Sequence, residues 1–177
     1  VANVNINNFD NVVLINKAAG SCSQKKALFH RSEIGSGGAT FHPRQQEFPS
    51  ESVDVETIDA MLPVDNHSCV HFMKIDVEGH EFEALVGAKE LLRSRTPPII
   101  CMEFSTEQGD SAVNSANLLT NELNFQAFRT EYGKGHRDGG KLIPLQRKAD
   151  YPRHDNVYFV PASRLDYFHE KLPVGNN

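Results

Sequence analysis

Residues 70–104 constrain the fold more tightly than any other stretch of the chain. Val70-His-Phe-Met-Lys-Ile75 is strand-sized and mostly apolar, and Asp76-Val-Glu-Gly79 has the composition of a turn. Residues 81–95 follow at helical spacing, with Phe82, Leu85, Val86 and Leu92 on one stripe and Leu91 widening it. Glu81 and Glu83 near the start and Arg93 and Arg95 near the end suit the helix macrodipole, and Pro97-Pro98 prevents continuation. Ile99-Ile-Cys-Met-Glu-Phe104 is then a near-continuous apolar strand, the composition expected when both faces of a parallel sheet are covered. A strand, a helix and a second such strand make a βαβ unit, which calls for an α/β fold.

The flanking sequence fits the same class. Asn11-Val-Val-Leu-Ile-Asn16 reads as a buried first strand, residues 26–30 as a second short one, and Gly35-Ser-Gly-Gly38 as a loop. From Ser52 the alternation of Val53 and Val55 gives way to helical spacing at Ile58, Met61 and Leu62, with Thr57 as N-cap and a stop near Pro63. Residues 112–123 form a helix, 125–129 begin a strand, 133–140 are a glycine- and charge-rich loop, and 156–161 are a last strand paired as a hairpin with 141–145. The expected architecture is a mostly parallel sheet with an antiparallel edge hairpin, in one domain spanning 1–177.

Charge and composition exclude several functions. With 18 Lys and Arg against 23 Asp and Glu, the net charge of −5 offers no basic surface for a nucleic-acid backbone. No apolar run approaches the ~18 residues that a membrane span requires. Cys22, Cys69 and Cys101 are odd in number and lack CxxC spacing, so a reducing, cytoplasmic setting is expected.

In open α/β sheets ligands sit beyond the carboxyl ends of the strands. That rule selects Asp76 and Glu78 after one strand, Glu103 at the end of the next, and Asn16, Lys17 and Ala18 after the first. The run Lys74-Ile-Asp-Val-Glu-Gly-His-Glu81, continued by Leu85-Val-Gly-Ala88 and by the strand ending in Glu103, resembles the FkbM-type S-adenosylmethionine-dependent methyltransferases. Val53-Asp-Val-Glu-Thr-Ile-Asp59 and Asn11-Val-Val-Leu-Ile-Asn-Lys-Ala-Ala-Gly20 resemble two weaker segments of that family.

The resemblance implies a Rossmann-like methyltransferase sheet and S-adenosylmethionine as cofactor. It also implies methyl transfer to a hydroxyl of a small-molecule or glycan acceptor. The family's glycine-rich first strand and its acid-ended second strand have no counterpart here, so the chain is expected to be a fragment lacking those two strands, poor at binding the cofactor alone. A non-catalytic α/β scaffold is the alternative reading, and a metal-dependent hydrolase built on Asp76, Glu78 and Glu103 a further one.

Methyl transfer needs alignment and, for a hydroxyl acceptor, a base. Asp76, Glu78, His80 and Glu103 are the catalytic candidates, and Asn16, Lys17, Ala18 and Asp76 the cofactor-contact candidates. No metal ligand set is assigned, although Asp76 and Glu103 on adjacent strand ends could share a divalent cation. Lys74 is expected in a structural ion pair, Gly79 in a special backbone conformation, and Glu81 as a dipole-complementing acid. Tyr132, Lys134, His136 and Arg137 lie where an acceptor could be recognised.

Overall fold

A computed structural model describes residues 4, 6–30, 50–108, 110–132 and 141–171. Its strands fall into two sheets. The first contains β1 (Ala18–Ala19), β2 (Gln24–His30) and β3 (Ser50–Glu56) in the order β1-β3-β2. The second contains β4 (Phe72–Ile75), β5 (Ile99–Ser105), β6 (Phe125–Thr130), β7 (Leu142–Leu145) and β8 (His154–Pro161) in the order β4-β5-β8-β6-β7. Among the described residues, short helices connect and cover them: α1 (Ile58–Met61), α2 (Glu81–Val86), α3 (Lys89–Leu92), α4 (Ser111–Asn117) and α5 (Leu165–Lys171).

The βαβ unit is present: β4 and β5 run parallel, joined through α2 and α3. The rest of the large sheet departs from the expected mostly parallel arrangement, since β5–β8, β8–β6 and β6–β7 are all antiparallel. The hairpin partner differs as well. Residues 142–145 pair with β6, and β8 inserts between β5 and β6. Composition explains the exchange. Val157, Phe159 and Val160 are fully buried and fill both faces of a central strand, whereas Pro144 has no N–H to give and suits the edge that β7 occupies.

Three further expectations need correction or refinement. Residues 11–16 form no strand. Val12, Val13, Leu14 and Ile15 are exposed, and only Ala18–Ala19, further on, pairs with β3. An apolar run becomes a strand only where a neighbour takes its backbone donors and acceptors, and none among the described residues does so here.

The helix over 81–95 is two helices, broken at Gly87-Ala88. At that point the Gly87 carbonyl accepts the Asp59 N–H (2.9 Å), and the Asp59 carboxylate accepts the N–H groups of Glu90 (2.9 Å) and Leu91 (3.0 Å), capping α3. A Cβ at Gly87 would overlap the Gly20 carbonyl, so the break is also where the two sheets' segments touch. Finally, the helix over 112–123 ends in a π-helical turn, Leu118–Glu122. Thr57 caps α1 as expected, its hydroxyl accepting the Ala60 N–H at 3.1 Å. The glycine loop at 35–38 lies outside the described residues.

Ile75, Leu85, Leu92, Ile100, Met102, Phe104, Leu119 and Phe159 form the main core between the large sheet and α2–α4. Phe128 and Val160 pack on the opposite face with Leu165 of α5. Side chains alternate along a strand, so with Ile100, Met102 and Phe104 in the helix-side core, Cys101 and Glu103 face the other side.

Candidate active site at the carboxyl ends of β4 and β5

The parallel register of β4 and β5 pairs Ile75 with Met102, so the residues that follow each strand emerge side by side. Oxygens of Asp76, Glu78 and Glu103 lie within 4.8 Å of one another. Their surroundings are graded: Asp76 is exposed, Glu78 half-buried, and Glu103 buried at 6% exposure. Three carboxylates in such proximity repel one another unless cations or protons intervene, which makes the cluster a place to hold a positive group.

The chain supplies part of that compensation. Lys74, the strand residue expected to need a carboxylate partner, places Nζ 3.1 Å from Asp76 Oδ2 and 3.2 Å from Asn156 Oδ1. Asn156 stands opposite Glu103 in the β5–β8 register, and His154 Nε2 lies 3.5 Å from Glu103 Oε1. On the same sheet face, Cys101 is flanked by Lys74 and Tyr158. Burial pushes the Cys101 thiol above its ordinary range, so it stays protonated and is a poor nucleophile.

The turn that carries Glu78 is conformationally unusual. Glu78 has φ 53° and Gly79 φ 94°. Gly79 adopts its value without a Cβ penalty, whereas a left-handed conformation at Glu78 costs about 1 kcal/mol and persists only where its surroundings fix it. Glu81 does the fixing. Buried at 2% exposure, it accepts the Gly79 N–H (3.0 Å) and the Ser111 hydroxyl (3.1 Å), while the Ser111 oxygen accepts the Phe82 N–H (3.2 Å). The acid read from sequence as a dipole partner is therefore the brace of the turn.

The remaining candidates lie elsewhere. His80 sits 3.6 Å from Glu83 and lines a small pocket with Gly20, Cys22 and Val55, on the side of the three-stranded sheet. Asn16 is exposed, Lys17 pairs with Glu56 (3.3 Å), and Ala18 is in register with Val55. Ala18 thus belongs to the small sheet, and Asn16 and Lys17 lie just ahead of it, because the strand over 11–16 does not form. Of the sequence candidates, Asp76, Glu78 and Glu103 are gathered into one cluster. His154 and Asn156 had no sequence signal, since only the insertion of β8 beside β5 brings them to Glu103. Tyr132 is exposed, and Lys134, His136 and Arg137 lie outside the described residues.

A parallel strand pair with acidic carboxyl ends and a strained turn between strand and helix defines an α/β protein whose candidate site is the carboxylate cluster at the sheet rim. The model of the methyltransferase FkbM domain family matches residues 2–143, and the chain belongs to that family. Comparison with curated proteins and with solved structures returns no match.

Proposed function

We propose that the protein acts as an S-adenosylmethionine-dependent methyltransferase on a hydroxyl of a small-molecule or glycan acceptor, with Asp76, Glu78 and Glu103 at the reaction centre. The observation that carries the reading is the convergence of these three carboxylates at the ends of β4 and β5, inside the matched domain.

Their chemistry fits the cofactor's cationic and hydroxyl-bearing parts. Carboxylates oppose a sulfonium or an amino group and accept hydrogen bonds from ribose hydroxyls. When bound, the cofactor supplies an electrophilic methyl group. Within the chain, Lys74 and Asn156 hold the Asp76 side of the cluster in place. The Glu81 brace fixes the turn that presents Glu78. Glu103, buried beside His154, is the group best suited to take a proton from the acceptor hydroxyl, and His154 offers it a path to solvent. The same three oxygens could instead share a divalent cation that acidifies the acceptor hydroxyl.

The test is release of S-adenosylhomocysteine by the protein with S-adenosylmethionine and a panel of hydroxylated acceptors, with and without chelator. Asp76→Asn and Glu103→Gln should each cut turnover by about a hundredfold while circular dichroism is unchanged. Undiminished turnover in both variants would remove the cluster from the reaction.

A further inference from the structure

Across the large sheet from the carboxylates, a second cleft of about 400 Å³ opens between the end of α4 and residues 145–153. Phe104 helps to form its floor and points away from the face that carries Glu103, so the cleft is separate from the candidate active site. Its volume falls in the range of small-molecule pockets.

Its lining is selective. Every charged side chain that lines it is basic: Arg147, Lys148 and Arg153. That bias runs against a chain whose net charge is −5. Arg147 is fixed by Asp150 (2.9 Å), which also accepts the N–H groups of Gln146 and Arg147 and so pre-forms the loop. Arg153 is only loosely held, 4.0 Å from Glu107. Lys148 makes no ion pair among the described residues, leaving its charge for a ligand.

The opposite wall is neutral and rich in hydrogen-bonding groups. Asn117 ends α4, and Thr120 and Asn121 come from the π-helical turn, a rare conformation that recurs at functional sites. Between the two walls, Tyr151 lies against buried Phe104 with ring centroids 5.1 Å apart, providing a flat apolar surface.

We propose that this cleft binds a monosaccharide-sized ring bearing a phosphate or a carboxylate. The ring rests on Tyr151, its hydroxyls meet Asn117 and Asn121, and the anion sits at Lys148 with Arg147 and Arg153. The inference is independent of methyl transfer, because it concerns binding at a cleft on the other face of the sheet.

Titration calorimetry on the 177-residue chain tests it with glucose 6-phosphate, glucuronate, glucose, inorganic phosphate and benzoate as probes. Glucose 6-phosphate, glucuronate or both should bind at least about tenfold more tightly than glucose and than phosphate alone. Which of the two binds identifies the anion. The double variant Lys148→Ala, Arg153→Ala should weaken that binding by about tenfold or more with no change in melting temperature. Asn117→Ala should weaken the sugar anions and leave benzoate unaffected.

Sugar anions no tighter than inorganic phosphate would overturn ring recognition. Binding unaltered in the double variant would overturn the location. Benzoate matching the sugar anions would overturn recognition of hydroxyls.

Discussion

The two sheets are held together by different forces. In the five-stranded sheet the contacts are apolar and buried: Phe128, Phe159, Val157, Val160, Ile100 and Met102 are completely excluded from water. In the three-stranded sheet Ala27 is the one buried apolar residue among those described. Charge and hydrogen bonding take over there. Lys25 Nζ lies 2.8 Å from Asp54, whose other oxygen accepts the Lys26 N–H at 3.1 Å, across the irregularity that places Lys26 at φ 53°. Glu56 accepts from Ser23 and from Lys17. The difference teaches where rigidity lies: the carboxylate cluster stands on the packed sheet, and the small sheet is attached through a few close contacts at Gly20, Asp59 and Gly87.

Three substitutions or conditions would break or sharpen that contrast. The largest effect is expected inside the packed sheet. Phe159→Ala should cost about 3–5 kcal/mol, read by chemical denaturation, because it empties a fully enclosed site. A cost under about 1 kcal/mol would show that the sheet is less tightly packed than its burial indicates.

Gly87→Ala strikes the joint between the two regions. The added methyl overlaps the Gly20 carbonyl, which is backbone and cannot swing aside, so a loss of about 1–3 kcal/mol is expected. Hydrogen exchange in β1 and β3 should accelerate more than in β5. Uniform acceleration in both sheets would mean that they unfold as one unit.

The smallest effect is electrostatic. The Lys25 hydrogen bond holds the Asp54 carboxyl below its ordinary 3.8, and the Ser23 hydrogen bond holds Glu56 below its ordinary 4.5. Carboxyls depressed in the folded chain contribute stability above those ordinary values and lose it as pH falls through the lower folded values. Amide protection factors in β2 and β3 should therefore fall on acidification below pH 4.5 and 3.8 while β5 and β8 stay protected. Because these groups are only partly buried, added salt should shrink the effect. Protection in β2 and β3 that is indifferent to both pH and salt would assign that sheet's cohesion to its backbone bonds alone.

The sequence was most informative where pattern and local chemistry agree. The run from Val70 to Phe104 carried the parallel pair, the turn and the acidic strand ends, because period, helix-stopping prolines and turn composition are written in neighbouring residues. The ion pair of Lys74 and the special backbone of Gly79 were legible for the same reason. Asp76, Glu78 and Glu103 were legible as candidates because a parallel pair aligns its carboxyl ends.

What tertiary structure alone decided were matters of partnership. The apolar run at 11–16 looks like a strand, yet it forms none without a neighbour. The stripe over 81–95 looks continuous, yet Gly87 meets Gly20 and Asp59 caps a second helix at that point. Glu81 looks like a surface acid, yet the half-buried Ser111 hydroxyl and a turn amide claim it. The strand that delivers His154 and Asn156 to Glu103 could have paired elsewhere, and long-range packing of Val157, Phe159 and Val160 settled its place. Local sequence fixes what each segment prefers to be, through backbone sterics and periodicity. Which segments stand beside one another depends on burial summed over the whole chain, and that sum has no local signature.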